Sequence, residues 1–116
     1  MRIDQSRYRQ ALERLLAAGR VDPVQAESLA DNLSWCDMVG RRNHGIERLP
    51  ILLKRVATGA IRCPCEPVIA RPAPAVARID ADAGVGHHAG QLGMGRACAL
   101  AHAHTTGSSV ASIRNT

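Results

Sequence analysis

Aromatic residues are almost absent from this chain of 116 residues. It contains no Phe, and Tyr8 and Trp35 are its only aromatic side chains. The hydrophobic fraction is 46%, but 19 of these residues are alanines. Because aromatic side chains bury the largest areas, a chain of this composition can build only a thin core by itself. We therefore expect it to be a fragment of a larger protein.

Long apolar runs and export signals are missing as well. No stretch approaches the roughly 18 apolar residues of a membrane-spanning helix, and the polar start MRIDQSRYRQ does not resemble a signal peptide. Four cysteines could form disulfides by number alone, yet nothing else in the sequence indicates secretion; they are Cys36, Cys63, Cys65 and Cys98. The sequence therefore predicts free thiols, a cytoplasmic location and no membrane partner.

Acidic residues are scarce in the second half, with no Asp or Glu anywhere from Ala83 to Thr116. The net charge is +5, and arginines carry it because Lys54 is the only lysine. Basic character favours anionic partners, which are either nucleic acid or small acids. Acidic residues interrupt the arginines of the N-terminal half, and aromatic side chains that stack on bases are nearly absent. We expect no nucleic-acid partner, and the alternative function is a small basic helical module that binds nucleic acid or protein.

Two helices are predicted at the start of the chain. The first carries an apolar stripe at helical spacing and ends at Gly19. The stripe consists of Tyr8, Ala11, Leu12, Leu15 and Leu16. The second helix begins at Asp22-Pro23, where Gln25 completes a capping box, and it ends near Gly40.

A third helix is predicted over about Glu47–Thr58. Pro50 must lie in its first turn, because a proline deeper in the helix would break the hydrogen-bond ladder. Gly59 is the predicted stop. The residues predicted to face inward are Leu49, Leu53, Val56 and Ala57.

After these helices the pattern changes to that of an α/β domain. The segment 61–75 contains four prolines and predicts an extended connection or an edge segment. Val76–Asp80 alternates as a half-buried strand does, a turn follows at Asp82–Gly86, and a helix of small residues continues to about His104. Thr105–Ser108 is predicted as a loop, and Val110–Ile113 as the beginning of a strand.

The predicted fold class is therefore α+β. Residues 1–60 form a three-helix region, residues 61–75 form the connection, and residues 76–116 begin a mixed α/β domain of strand, helix and strand. The last strand has no neighbour in the sequence for its open edge. We therefore expect this second domain to be truncated.

Two patterns imitate ligand sites but fail closer tests. Gly84–Ala89 follows the dinucleotide fingerprint G-x-G-x-x-G/A, yet the acidic residue expected about 20 positions later is missing. A tight turn and a closely packed helix are predicted there instead. The second pattern combines Cys63 and Cys65 with histidines, but the C-x-C and H-x-H spacings differ from those of zinc sites. The histidines concerned are His87, His88, His102 and His104, and we expect no bound metal.

The stretch Asp37–Pro50, DMVGRRNHGIERLP, combines a histidine with an arginine. If it begins a helix, His44 and Arg48 lie four residues apart on one face. A histidine can donate a proton near neutral pH, and an arginine can hold a carboxylate through two hydrogen bonds. A 2-oxo acid offers both matching groups, a carbonyl oxygen and a carboxylate. The alternative is a structural pair, namely a partly buried histidine at a helix start and a solvated arginine.

The order of motifs resembles the N-terminal region of the malate/L-lactate dehydrogenase family of NAD(P)-dependent reductases. The pattern A-x-x-L-A-D-N-L…D-x-x-G-x-x-x-H-G-x-x-R-L-P…G extends from Ala26 to Gly59. The proline-rich connection, the short strand, the Gly-x-Gly turn and the small-residue helix that follow are similar too. The closing residues SIRNT are most similar to the 2,3-diketo-L-gulonate reductase branch of this family.

This resemblance implies a homodimeric, non-Rossmann enzyme that reduces 2-oxo acids or oxidises 2-hydroxy acids with NAD or NADP. Family members are much longer, so their nicotinamide-binding residues lie beyond this fragment, which we expect to be inactive alone. The resemblance implies that His44 is the proton donor and that Arg48 lies at the acidic end of the substrate. Asn43 replaces the usual serine and can still orient the imidazole.

Two further positions depart from the family pattern. Val39 replaces an arginine, and Leu52 replaces a frequent aromatic residue. Leu52 removes a possible hydroxyl contact with the substrate, so the exact substrate stays open.

Overall fold

Residues 2–112 are described by a computed structural model, and side-chain surroundings are described for residues 2–107. The chain divides between Pro64 and Cys65 into an N-terminal and a C-terminal unit. This division falls inside the proline-rich segment 61–75, whose second half forms a strand. No helix in the described range is both long and apolar enough to cross a bilayer.

Helix α1 covers Gln5–Ala18. At its end the Gly19 N–H donates to the Leu15 carbonyl and the Arg20 N–H to the Ala17 carbonyl, both at 3.0 Å. Leu12 and Leu16 are fully buried, whereas Leu15 is 47% exposed. The predicted apolar stripe is therefore wider than the face that the structure buries. The buried side chains follow a single i, i+4 row, and Leu15 lies one residue off that row on the solvent side.

Helix α2 covers Pro23–Met38 and begins as the sequence predicts. The Asp22 carboxylate accepts the Gln25 backbone N–H at 3.2 Å and the Gln25 side-chain amide at 2.6 Å. The Gln25 amide is fully buried and also donates to the Arg62 carbonyl at 3.0 Å. The capping residue thus fixes the start of α2, and Gln25 attaches the end of the N-terminal unit to it. The buried apolar side chains of α2 are Ala26, Leu29, Ala30, Leu33 and Cys36.

Helix α3 covers Leu49–Ala57, so it begins two residues later than predicted. Pro50 lies in its first turn, and Gly59 follows its end with a positive φ of 82°. The buried residues are Leu49, as predicted, and Leu52, which was not predicted to face inward. Of the predicted set, Leu53 and Val56 are only half-buried and Ala57 is exposed. Leu52 packs in the core of the N-terminal unit.

The C-terminal unit contains a three-stranded sheet in the order β1-β2-β3. Strands β1 (Val68–Ala73) and β2 (Val76–Asp80) are antiparallel, with Val68 opposite Asp80. Strand β3 (Ser108–Ser112) pairs with β2 in parallel, and helix α4 (Gly86–His104) forms the connection between them. The predicted strand at 76–80 and the predicted helix end are confirmed.

Two details of this unit differ from the sequence expectation or refine it. Strand β1 lies at the sheet edge, and its pairing shifts between Ala70 and Ala73, on either side of Pro72. A proline has no N–H for a ladder bond and is tolerated at such positions. Strand β3 begins at Ser108, two residues before the predicted start, and the predicted last residue Ile113 lies outside the described residues. The core of the unit contains Ala77, Ile79, Ala89 and Leu100.

The fold class is α+β, as predicted from the sequence. The N-terminal unit is helical, and the C-terminal unit mixes parallel and antiparallel strand pairs around one crossover helix. The chemistry suggested by the sequence lies in the N-terminal unit, in the loop between α2 and α3.

Candidate active site

The loop between α2 and α3 consists of two short 3-10 turns. The first covers Arg42–His44 and the second Ile46–Arg48, with Gly45 between them. Gly40 enters the loop with a positive φ of 82°, a conformation that glycine adopts without steric cost. This loop presents the predicted site residues at the surface, since Asn43, His44 and Arg48 are all exposed.

His44 and Arg48 do not share the face of one helix. Gly45 separates the two turns with φ −95° and ψ −140°, which is not a helical conformation. The prediction that one helix places His44 and Arg48 on the same face is therefore wrong. The two residues are instead connected through Asn43.

Asn43 contacts both partners. Its backbone carbonyl accepts the Arg48 Nε–H at 2.8 Å, and its side-chain oxygen lies 2.9 Å from His44 Nδ1. An amide oxygen only accepts, so the contact is a hydrogen bond in the tautomer that carries its proton on Nδ1. The contact engages Nδ1 and leaves Nε2 as the ring nitrogen available to a substrate.

Asp37 is the residue that the sequence reasoning missed. It lies in the last turn of α2, and its Oδ2 atom accepts the Ile46 backbone N–H at 2.9 Å and the Tyr8 hydroxyl. The quoted motif contained Asp37, but no spacing rule connects it with Tyr8, which lies 29 residues earlier. Burial raises the pKa of the Tyr8 phenol, and the hydrogen bond with Asp37 and its negative charge raise it further. Tyr8 therefore stays a protonated donor.

Gly45 is buried against the same carboxylate. A Cβ atom at position 45 would lie 1.9 Å from Asp37 Oδ1 and 2.3 Å from the carboxyl carbon. The space of a side chain is thus occupied by Asp37. This close approach gives a physical reason for glycine directly after the histidine.

An open groove of about 640 Å³ lies beside this loop. Its apolar lining includes Met38 and Ile46, and its polar lining consists of Gln5, Tyr8, Ser34, Asp37, Arg42 and Glu47. His44, Asn43 and Arg48 do not line this groove.

The dinucleotide-like pattern and the zinc-like pattern of the sequence form other structures. Asp82 and Ala83 adopt positive φ values of 51° and 56° and form the tight turn before α4. Ala89 and Gly93 of α4 are buried, so the helix packs closely as predicted. Among residues 2–112, no three His, Cys, Asp or Glu side chains come together as a metal site requires.

Comparison with known proteins decides the family. The family model described as malate/L-lactate dehydrogenase matches residues 3–116, nearly the whole chain. The chain belongs to this family. The resemblance derived from Ala26–Gly59 is thereby confirmed.

Individual relatives agree with the family model. Over 115 residues, which are 99% of the chain, the sequence is 29% identical to malate dehydrogenase of Pyrococcus horikoshii. The structure of that malate dehydrogenase superposes on 96% of the chain with a TM-score of 0.88 and 28% identity. Sulfolactate dehydrogenase of Methanocaldococcus jannaschii superposes on 88% of the chain with a TM-score of 0.80 and 27% identity.

The malate/L-lactate dehydrogenase relatives are longer than this chain. The chain covers 31% of the Pyrococcus horikoshii sequence, 32% of its structure and 30% of the sulfolactate dehydrogenase structure. It therefore spans about a third of the length of the relatives that it matches.

Proposed function

We propose that this chain forms the substrate-binding part of an oxidoreductase that transfers hydride between NAD(P)H and the carbonyl group of a 2-oxo acid. His44 is the proton donor, and Arg48 and Asn43 bind or orient the substrate. The observation that carries the proposal is the pair of bonds from Asn43, which hold His44 and Arg48 together on one exposed loop.

His44 supplies the proton that reduction requires. Hydride addition to the carbonyl carbon leaves negative charge on the oxygen, and the imidazole Nε2–H donates to that oxygen to complete the hydroxyl group. Nδ1 keeps its own proton for Asn43, so the ring stays oriented during the transfer. Proton transfer by a positioned group is worth about 10²–10⁴ in rate.

Arg48 anchors the carboxylate of the substrate. Its Nε is committed to the Asn43 carbonyl, which leaves both terminal nitrogens to donate. Among the described residues, no carboxylate lies within ion-pair distance of Arg48. A planar guanidinium that is held at one side and open at the other suits two parallel bonds to a carboxylate.

The nicotinamide cofactor, NAD or NADP, supplies the hydride when it is bound. The glycine-rich start of α4 does not fit a dinucleotide, because no acidic residue follows it to hold the ribose. We therefore propose a non-Rossmann cofactor site formed by residues beyond this chain, in a cytoplasmic homodimer. The names of the relatives favour a 2-hydroxy acid such as malate or sulfolactate as the oxidised substrate.

The experiment uses a chimaeric enzyme in which this chain replaces the matching third of Pyrococcus horikoshii malate dehydrogenase. Reduction of 2-oxo acids is measured with NADH and NADPH. We expect His44→Ala to lower kcat by about 10²–10⁴ with little change in KM. Arg48→Ala is expected to raise KM by about 10- to 100-fold, because a hydrogen bond to a charged group is lost.

Two exposed residues provide matched controls. His102→Ala in α4 and Arg55→Ala in α3 remove the same side-chain types away from the loop and should leave both constants unchanged within about twofold. A His44→Ala enzyme with unchanged kcat would refute the proton-donor role. An Arg48→Ala enzyme with unchanged KM would count against the anchor role.

A further inference from the structure

We propose that Tyr8 and Asp37 are positioning residues, which hold the backbone directly after His44 in the geometry that proton transfer needs. The structural half of this inference stands on the contacts of the loop, and its effect on rate rests on the proposed function. Neither residue is expected to touch the substrate.

A hydrogen bond connects the loop with α2. Ile46 follows His44 by two residues, and its N–H donates to Asp37 Oδ2 at 2.9 Å. This bond connects the start of the second 3-10 turn with the last turn of α2, nine residues earlier. It is therefore a tertiary bond that the loop's own local hydrogen bonds do not replace.

Gly45 packs on the other carboxylate oxygen of Asp37. A Cβ atom added at this position would overlap Oδ1, so the backbone of residue 45 lies directly against Asp37. One oxygen of Asp37 thus binds the loop, and the other limits how far the loop can move inward. Together they fix the position of the peptide units on the C-terminal side of His44.

Asp37 is itself bonded to α1. The Tyr8 hydroxyl of α1 donates to the same Oδ2 atom that binds Ile46. Tyr8 is half-buried beside the Leu12–Leu16 row of α1. The carboxylate is therefore held by a side chain that is rooted in the core of the N-terminal unit, and the loop gains its order from that core.

This attachment matters because the His44 side chain has little support of its own. It is exposed, it lies in a turn of three residues, and its side-chain bond is to the neighbouring Asn43. A displacement of about 1 Å at a reacting group can cost about 10²-fold in rate. Loss of the Asp37 bond should therefore reduce turnover although Asp37 lies outside the reacting groups.

The structural test uses the 116-residue chain and amide hydrogen exchange measured by NMR. We expect Asp37→Ala to speed exchange of the Ile46 amide by at least about tenfold, since its acceptor is lost. Asp37→Asn keeps one acceptor oxygen and should restore part of the protection. Tyr8→Phe should give an intermediate increase, because Asp37 remains but its attachment to α1 is lost.

Asp31→Ala is the matched control. Asp31 lies on the same helix and also binds α1, through Arg9 at 2.6 Å, but it does not contact the loop. Exchange at Ile46 should be unchanged in this variant. Equal exchange at Ile46 in Asp37→Ala, Asp31→Ala and the unmodified chain would overturn the proposal.

The catalytic test uses the chimaeric enzyme. Asp37→Ala should lower kcat by about 10- to 100-fold while KM changes less than about threefold, and Asp37→Asn should recover part of the lost kcat. A fall in the amount of folded enzyme with normal turnover per folded molecule would contradict positioning and show a structural role alone. The result for His44→Ala tests the proposed function separately, because the exchange experiment needs no activity.

Discussion

Tyr8 is the single tyrosine of the chain, so its ionisation can be followed without interference from another residue of its type. Its phenol is half-buried and donates to a carboxylate. Both conditions disfavour the phenolate, since burial penalises charge and Asp37 repels a second negative charge. The residue that supports the loop can thus be observed directly.

We predict that tyrosinate forms in the folded chain only well above pH 10, the ordinary pKa of tyrosine. A pKa that is raised by folding contributes stability that is complete below the unfolded value of about 10 and is lost as the pH rises above it. The near-ultraviolet absorbance of tyrosinate measures this titration, with the denatured chain as the reference.

Asp37→Asn separates the causes of this shift. The tyrosinate midpoint should fall when the charge is removed, but it should stay above that of the denatured chain because burial is the larger cause. Identical midpoints in the folded and denatured chains would show that Tyr8 is not held as described.

At the scale of the single residue, sequence reasoning identified His44, Arg48 and Asn43 as the candidate site, and the structure brings them together on one loop. It could not identify Asp37 and Tyr8 as their support, because the bond between them spans 29 residues and depends on how α1 packs on α2. Short-range patterns predict which groups are present. Tertiary packing decides which of them hold the others.

Among the secondary-structure elements, α2 has the most completely satisfied start. Asp22 caps its backbone and also binds the side chain of Gln25, whereas Asp4 at the start of α1 makes no side-chain capping bond. The two helices therefore provide an internal comparison between a used and an unused capping residue.

We predict that Asp22→Ala lowers the free energy of unfolding of the N-terminal unit by about 0.5–2 kcal/mol, the usual cost of losing an N-cap. Asp4→Ala should lower it by less than about 0.5 kcal/mol, since only a weak interaction with the helix dipole is lost. Urea unfolding followed by the fluorescence of Trp35, the only tryptophan and a residue of α2, reports on this unit. Equal losses in the two variants would argue against the capping role of Asp22.

The elements also show where local signals suffice. The caps of α2, the glycine ends of α1 and α3, and the alternation of β2 are encoded within a few residues, and each was predicted. The two 3-10 turns were not, because the break at Gly45 follows from its contact with Asp37 rather than from a helix-stop signal. The buried face of α3 was predicted only in part, because the side of a short helix that meets the core depends on its tertiary neighbours: Leu52 is buried and Ala57 is exposed.

At the scale of the whole molecule, the decisive fact is length. The chain covers 31% of the malate dehydrogenase sequence that it matches, and the proposed substrate-binding residues lie within that part.

We predict that the 116-residue chain alone does not oxidise NADH in the presence of 2-oxo acids, whereas the chimaeric enzyme does. Under the proposed function, this chain supplies the proton donor and the carboxylate anchor, whereas the nicotinamide cofactor binds to residues outside it. The measurement is the loss of NADH absorbance at matched protein concentrations. A rate for the chain alone that disappears in His44→Ala would contradict this prediction.

The close approach of Gly45 to Asp37 also constrains how this family can change over time. Any side chain at position 45 would overlap the carboxylate, so a mutation there is tolerated only after residue 37 has become shorter or has turned away. A shorter residue 37, in turn, gives up the acceptor that Ile46 uses. The two positions therefore block each other's single substitutions, and in related proteins we expect glycine and aspartate to be kept together or lost together.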